Sequence, residues 1–298
     1  MPVELPTCRH RGRRLAADAW ECRCPDLVLP TGAVSSVDCA LLCHCPDRED
    51  RRQPAVLVDG PRCEISLAVL TAPRAVRTVE RTLRELRRGG FEQTIYVFQE
   101  PGAGVVPQAG LRVTTNPVAL GLWDNWRSSA AALVDQTDAE FILICEDDLY
   151  LAPCAALALE HALRRLPRAD FGYASLYTPM HNAGGLPRRR GWRTIQNLDN
   201  YWGSLAYCYT RESLEAVLHS RAVVEHTGNL VDNAVSRAFQ ELDRKCYFHF
   251  PSLVCHAGDG LSTLGHASAP RSLAVDFDYE DRSYVESAAV SPRAPTRK

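Results

Sequence analysis

Phe141-Ile-Leu-Ile-Cys-Glu-Asp-Asp-Leu149 decides the reading of this chain. Five apolar residues in succession predict a strand covered on both faces. Three carboxylates follow at once: Glu146, Asp147 and Asp148. Placed together they repel one another, which costs free energy unless a cation or hydrogen-bond donors offset it. In open α/β sheets, ligands bind beyond the carboxyl ends of the parallel strands, and a strand over 141–145 delivers the acids to such an end. Hard carboxylate oxygens suit Mn²⁺ or Mg²⁺, ions that take few protein ligands and bridge to substrate phosphates. The competing reading has Asp147 or Asp148 capping a turn, or the helix whose first residue is Pro153.

Outward from the motif, strands and helices alternate. Upstream, Glu64-Ile-Ser-Leu-Ala-Val-Leu70 reads as a buried parallel strand, closed by Thr71-Ala-Pro-Arg74 at the same sheet edge. Val76, Val79, Leu83 and Leu86 recur at helical spacing, and Gly89-Gly90 ends that helix. Thr94–Phe98 and Leu111–Thr114 read as strands, and Leu122–Val134 as a helix. Downstream come a helix over about 153–165 and a strand at Phe171–Leu176. This order predicts an α/β fold with a mixed, mainly parallel sheet and right-handed crossovers. The second half is less regular. His181–Gly191 is a long, basic, glycine-containing loop of the kind that closes over ligands. Ser204–Tyr209 reads as a strand, Arg211–His219 and Leu230–Leu242 as helices, and Cys246–Phe250 with Ser252–Val254 as strand-like pieces.

The composition suits a globular chain of 298 residues, with 46% hydrophobic and 23% charged residues. A formal net charge of -2 favours neither nucleic acid nor an anionic membrane as partner. No apolar run is long enough for a transmembrane segment, and Met1–Cys8 lacks the apolar core of a secretory signal, so the expected location is cytoplasmic. In a reducing compartment, clustered cysteines bind metal more often than they form disulfides. Cys8, Cys22, Cys24, Cys39, Cys43 and Cys45 crowd the first 45 residues, a stretch too short to bury a core alone. Zn²⁺ on four of these thiolates, with His10 or His44 as possible ligands, is the leading expectation; an iron–sulfur cluster and disulfides are the alternatives. The remaining six cysteines sit mostly in apolar runs, where cysteine acts as a small hydrophobe.

The element order together with Phe141–Leu149 resembles glycosyltransferases of the GT-A type. The Glu-Asp-Asp form is similar to the acidic motif of N-acetylglucosaminyltransferases that use UDP-sugars and manganese. Phe250-Pro-Ser-Leu-Val-Cys-His-Ala-Gly-Asp-Gly-Leu-Ser-Thr263 resembles the Pro-x-Leu-x-x-His-x-Gly-x-x-Ser pattern that often ends such domains. The cysteine-rich opening resembles short segments that precede bacterial glycosyltransferase-like domains. The resemblance implies a Rossmann-like GT-A domain over residues 63–275; the charged, proline-flanked run Pro46–Pro54 marks a linker (51–62) after the metal-binding module at 1–50, and the acidic, then Ser/Pro/Arg-rich end reads as a flexible tail at 276–298.

The resemblance also implies roles. Asp148 becomes the ligand of Mn²⁺ or Mg²⁺, with His256 near metal and diphosphate. Glu146 approaches the ribose and Asp147 the donor sugar. Thr71 and Arg74 lie where the nucleotide binds, and Asp124 and Asn125 where uracil or ribose can be hydrogen-bonded. Asp232, at the start of a late helix, is the expected base, with Asp199 as runner-up. Each has a plainer alternative: His256 in a turn with Gly258–Gly260, Asp232 in a capping pair with Asn229, Asp124 and Asn125 as helix caps. Trp192 and Trp202 are sugar-stacking surfaces or core, and Arg188–Arg190 a phosphate clamp or a solvated run. The implied activity is an inverting, hexosyltransferase-like transfer from a nucleotide-sugar, with a UDP-sugar expected, to a glycan or other hydroxyl acceptor. The rivals are a non-catalytic metal- or redox-binding protein with a degenerate domain, and a nucleotidyltransferase. The latter needs a glycine-rich phosphate loop, and Thr71–Arg74 lacks glycine.

Overall fold

The computed structural model describes residues 11–14, 19–22, 33–35, 56–58, 60–179, 190–201, 203–256, 274 and 276–286. At the N-terminus, β1 (Arg11–Arg14), β2 (Ala19–Cys22) and β3 (Ala33–Ser35) pair antiparallel in that order. β4 (Val56–Val58) follows, within the stretch read as linker.

The central sheet grows from β5 (Ile65–Thr71). It continues through β6 (Ile95–Gln99), β7 (Leu111–Thr115) and β8 (Phe141–Glu146), which with β5 run parallel to one another. A short β9 (Leu149–Leu151) leaves the sheet after the acidic motif. β10 (Phe171–Ser175), β11 (Gly191–Thr194), β12 (Ala206–Thr210) and β13 (Lys245–Phe250) complete it. The spatial order is β11-β13-β10-β12-β8-β5-β6-β7. β12 inserts antiparallel between β8 and β10, β13 runs parallel to β10, and β11 forms an antiparallel edge. The sheet is mixed and mainly parallel, as the alternating pattern predicts.

Helices cover both faces, so β5 is buried throughout and β8 in all but Glu146. Along β5 and β8, Leu67, Val69, Leu143 and Cys145 meet Val79 and Leu86 of α1 (Val79–Arg88) and Leu159 and Leu163 of α3 (Ala155–Arg165). The alternate residues Ala68, Leu70, Ile142 and Ile144 face α2 (Gly121–Gln136), α4 (Arg211–Leu218) and α6 (Val231–Glu241). A one-turn α5 (Arg221–Val224) joins the last two. Tyr173 and Tyr207 stack at 4.1 Å between ring centres and abut Tyr209 and Phe239, which seats β10 and β12 on the same layer. The two-residue period of a strand assigns neighbours to opposite layers, which is why these segments read as continuous apolar runs.

α1 begins later than the apolar spacing suggests. Val76 precedes it and is 54% exposed. Glu80 in the first turn and Arg87 and Arg88 in the last complement the helix dipole. Residues 72–78 instead form the loop that carries Arg74 back to the sheet edge.

β14 (Val254–His256) pairs antiparallel with β9, with His256 opposite Leu149. β15 (Tyr284–Glu286) runs parallel to β4. Residues 276–286, read from the sequence as the start of a tail, are tied down by side chains. The Asp281 carboxylate accepts two 2.8 Å hydrogen bonds from Arg190. Tyr279 donates to Glu85 at 2.8 Å, and the Arg88 guanidinium lies 3.6 Å from the Tyr279 ring centre. Tyr284 Oη meets His249 Nε2 at 2.8 Å.

Cys145, Cys154, Cys208 and Cys246 are buried free thiols in the core, as their apolar setting predicts. Cys8, Cys24, Cys39, Cys43 and Cys45 lie outside the described residues, and Cys22 ends β2, a strand described by its backbone alone. Among the described residues no helix is long and apolar enough to cross a membrane.

Candidate active site at the carboxyl edge of the sheet

Glu146 is the last residue of β8, and Asp147 and Asp148 make the step into β9. α1 fixes this step. Thr82 Oγ1 donates to the Asp147 carbonyl at 2.7 Å and accepts from the Leu149 amide at 3.0 Å. Two backbone groups that would be orphaned at the strand break are thereby paired. On the other side, the Glu146 amide donates to the Leu205 carbonyl at 2.9 Å.

The three acids have different partners. Asp147 accepts from Thr71 Oγ1 at 2.5 Å and pairs with Arg74 Nη2 at 2.6 Å. Asp148 pairs through Oδ2 with Arg74 Nη1 at 2.9 Å and with His256 Nε2 at 3.2 Å. Its other oxygen, Oδ1, is buried with no hydrogen-bond partner among the described residues. Glu146 accepts from Ser204 Oγ at 2.8 Å. The strand-end loop therefore brings Thr71 and Arg74, and the β9–β14 ladder brings His256, to the acidic motif.

Electrostatics separates the acids further. Burial and the neighbouring Asp148 charge push Glu146 up to about 7 against the Ser204 hydrogen bond. Burial also raises Asp147, outweighing Arg74 and Thr71. For Asp148 burial acts in the same sense, but His256 and Arg74 together hold its carboxyl below the ordinary value. Burial would lower His256; its hydrogen bond to Asp148 and that acid's charge carry it above the ordinary imidazole value. Asp148 is the carboxylate most committed to its charged form.

Asp232 lies in the first turn of α6, whose N-cap position, Leu230, makes no side-chain cap. Asp232 Oδ2 accepts from the Gly203 amide and its Oδ1 from the Asn233 amide, both at 2.9 Å. Gly203 and Ser204 are consecutive, so one dipeptide holds Asp232 with its amide and Glu146 with the next hydroxyl. Gly203 adopts φ +120°, and a β-carbon there would come within 2.5 Å of the Tyr177 ring. Only glycine fits this crossing.

The other sequence candidates are engaged elsewhere. Asp124 forms a helix-surface pair with Arg127 at 3.0 Å. Asn125 is buried, its carbonyl oxygen accepting from Asn116 at 3.0 Å and Ser129 at 3.3 Å. Asp199 accepts from Gln240. Trp192 donates to the Ala158 carbonyl and packs on His249, which makes it core support. Arg190 is bound to Asp281; Arg188, Arg189, Trp202 and residues 257–263 of the C-terminal motif lie outside the described residues. The sequence reading missed Thr82, Gly203, Ser204 and Glu100. Glu100 follows β6 at the same edge, is buried, and accepts from the Leu120 amide at 2.8 Å at the start of α2. Its Oε1 has no partner among the described residues.

Asp148 and His256 fit a cation that completes its shell with water and phosphate oxygens, the habit of Mg²⁺ and similar hard ions. The unpartnered Asp148 Oδ1 is the observation that favours this fit. They do not make a closed site of the structural zinc kind. Among the described residues, no group of three or more His, Cys, Asp or Glu side chains is arranged to hold a metal.

No family model matches the chain, and no curated protein matches it. Among solved structures, the fold is similar to a mannosyltransferase from Pyrobaculum calidifontis in complex with GDP-Man and Mn²⁺, with TM-score 0.42 and 12% identity over 65% of this chain and 57% of that one. It is also similar to GalNAc-T7 with UDP, GalNAc and Mn²⁺, with TM-score 0.45 and 9% identity over 65% of this chain and 43% of that one. The chain thus spans about half the length of these two proteins.

Proposed function

We propose that this protein is a metal-dependent GT-A-type glycosyltransferase that takes its sugar from a nucleotide-sugar, with a UDP-sugar as donor, and inverts the anomeric centre. One observation carries the reading. A strand-end acidic motif, an arginine, a histidine and a separately held carboxylate converge at the sheet edge where α/β proteins bind ligands.

In this reading Asp148 and His256 hold Mn²⁺ or Mg²⁺, which when bound neutralises charge on the leaving diphosphate. Arg74 adds a guanidinium fork matched to phosphate oxygens. Glu146 and Glu100 line the edge as acceptors for donor hydroxyl or amide groups. Asp232 takes the proton of the acceptor hydroxyl as its oxygen bonds to the anomeric carbon. The bond from that carbon to the diphosphate breaks, and its electron pair leaves with the nucleotide. The Gly203 and Asn233 amides position Asp232 by donating to one carboxyl oxygen each.

Calorimetric titration of UDP and a UDP-sugar panel, with and without Mn²⁺, tests the reading. Wild type should bind only with metal, and Asp148→Ala should lose that binding. Asp232→Asn should retain donor binding while transfer falls about 10²–10⁴-fold, the usual worth of a general base. A folded, metal-replete protein that binds no UDP-, GDP- or TDP-sugar would refute it. For the cysteine-rich head the zinc proposal stands on its sequence, and metal analysis of the purified full chain against a Cys39→Ser/Cys43→Ser variant tests it.

A further inference from the structure

We infer that Arg74 is a resident cation that occupies the acidic motif until a donor diphosphate draws it away, so that metal and donor bind strongly together and weakly apart. The inference rests on the proposed donor site and adds a role that phosphate contact alone does not require.

The guanidinium spans two different carboxylates, Nη2 on Asp147 and Nη1 on Asp148, at 2.6 and 2.9 Å. Its side chain is only 12% exposed, and both aspartates are more deeply buried. Asp148 is the candidate metal ligand, and Arg74 and His256 share its Oδ2. A dication at the remaining Oδ1 would stand beside a guanidinium held by the same carboxylate, with little water between them to screen the repulsion. Without another anion, metal must therefore compete with Arg74.

A nucleoside diphosphate changes that balance. Its phosphate oxygens offer the fork a second bidentate partner, and the charge they bring favours a dication nearby. The loop permits the exchange. Among residues 73–77 only Arg74 turns inward, while Pro73, Ala75, Val76 and Arg77 are exposed. None of residues 73–77 belongs to the hydrophobic core. The exchange is mutual, because a cation that lowers metal affinity until donor binds also makes donor affinity depend on metal to the same degree.

The test is Mn²⁺ binding, read from the loss of the free-ion electron paramagnetic resonance signal, with and without UDP. Wild type should bind Mn²⁺ weakly alone and much more tightly with UDP. Arg74→Gln should bind Mn²⁺ alone about tenfold or more tightly than wild type, the size of coupling expected between touching charged groups. UDP should then add less to its Mn²⁺ affinity than it adds in wild type. If Arg74→Gln does not fold, Arg74→Lys decides, since an ammonium cannot bridge both carboxylates in the same way; tighter Mn²⁺ binding than wild type supports the inference and equal or weaker binding overturns it. Metal affinity unchanged in Arg74→Gln, with Mn²⁺–UDP binding intact in wild type, overturns the inference alone. Absence of Mn²⁺ binding to wild type with or without UDP overturns both the inference and the function it rests on.

Discussion

At Gly203 a single hydrogen atom stands where any other residue would place carbon against the Tyr177 ring. Gly203→Ala should cost about 2 kcal/mol or more, through overpacking and a strained positive φ. It should also weaken donor binding, because the Gly203 amide holds Asp232 and the adjoining Ser204 hydroxyl holds Glu146. Urea melts and UDP titration would show both effects, whereas a loss of stability alone would separate this glycine from the site. His249 gives a pH prediction. The Pro251 carbonyl can only accept, so Nδ1 carries the proton and Nε2 accepts from Tyr284. Burial pushes its folded value down to about 4. Below about pH 6.5 the unfolded chain takes a proton that the folded chain refuses, so stability is full above that pH and declines down to about pH 4, by about 3 kcal/mol. Urea midpoints measured across this window should fall less steeply in His249→Gln; an unchanged slope would place the titration elsewhere. Legibility at this scale followed chemistry. Thr71, Arg74, Asp148 and His256 were expected near one another because each lies just beyond a strand, and the structure brings them into contact. Gly203, Ser204 and Thr82 could not be read, because their roles depend on contacts with residues far away in sequence.

Among the elements, α1 is more than cover for the sheet. Its Thr82 ties the acidic step on both sides, with one hydroxyl serving as donor and acceptor. Thr82→Val keeps the shape and leaves the Asp147 carbonyl and Leu149 amide unpaired, at a cost of about 1–3 kcal/mol per buried group. Metal-dependent UDP affinity should fall with it, and retained affinity would show that the turn holds without the hydroxyl. The buried strands β5 and β8 were legible as apolar runs, since covering on both faces removes polar residues from the pattern. β9 and β14 were not, at three residues each. Their pairing is decided by where β13 ends and by the opposite strand, which no local period reports. Yet this small ladder sets His256 beside Asp148. The antiparallel entry of β12 was equally invisible, because an apolar run reads the same in either direction.

Over the whole molecule, residues 276–286 act as a clasp rather than a tail. They bring Tyr279 to Glu85, Asp281 to Arg190 and Tyr284 to His249, each reaching a different part of the α1–α3 layer or the sheet behind it. Ending the chain after residue 275 leaves a buried Glu85 and Arg190 without these partners. Breaking such a buried pair costs about 3–5 kcal/mol. The truncated chain should melt at lower temperature and be cut sooner by protease, and an unchanged melting temperature would show the clasp to be dispensable. Sequence reading placed this stretch in a tail because it is acidic and runs into a Ser/Pro/Arg-rich end, a composition like that of solvated ends, and tertiary contacts overrode composition.

The parallel pairing of β4 with β15 also has a consequence for synthesis. β4 leaves the ribosome early, while its partner is made only after the whole central sheet has been translated. At about 5–20 residues per second, the first strand waits on the order of ten seconds or more for the last. Throughout that interval β4 has no strand to pair with, and over the last 35 residues of it His249 also lacks Tyr284. The pairing that closes this seam therefore becomes available only when residue 286 emerges.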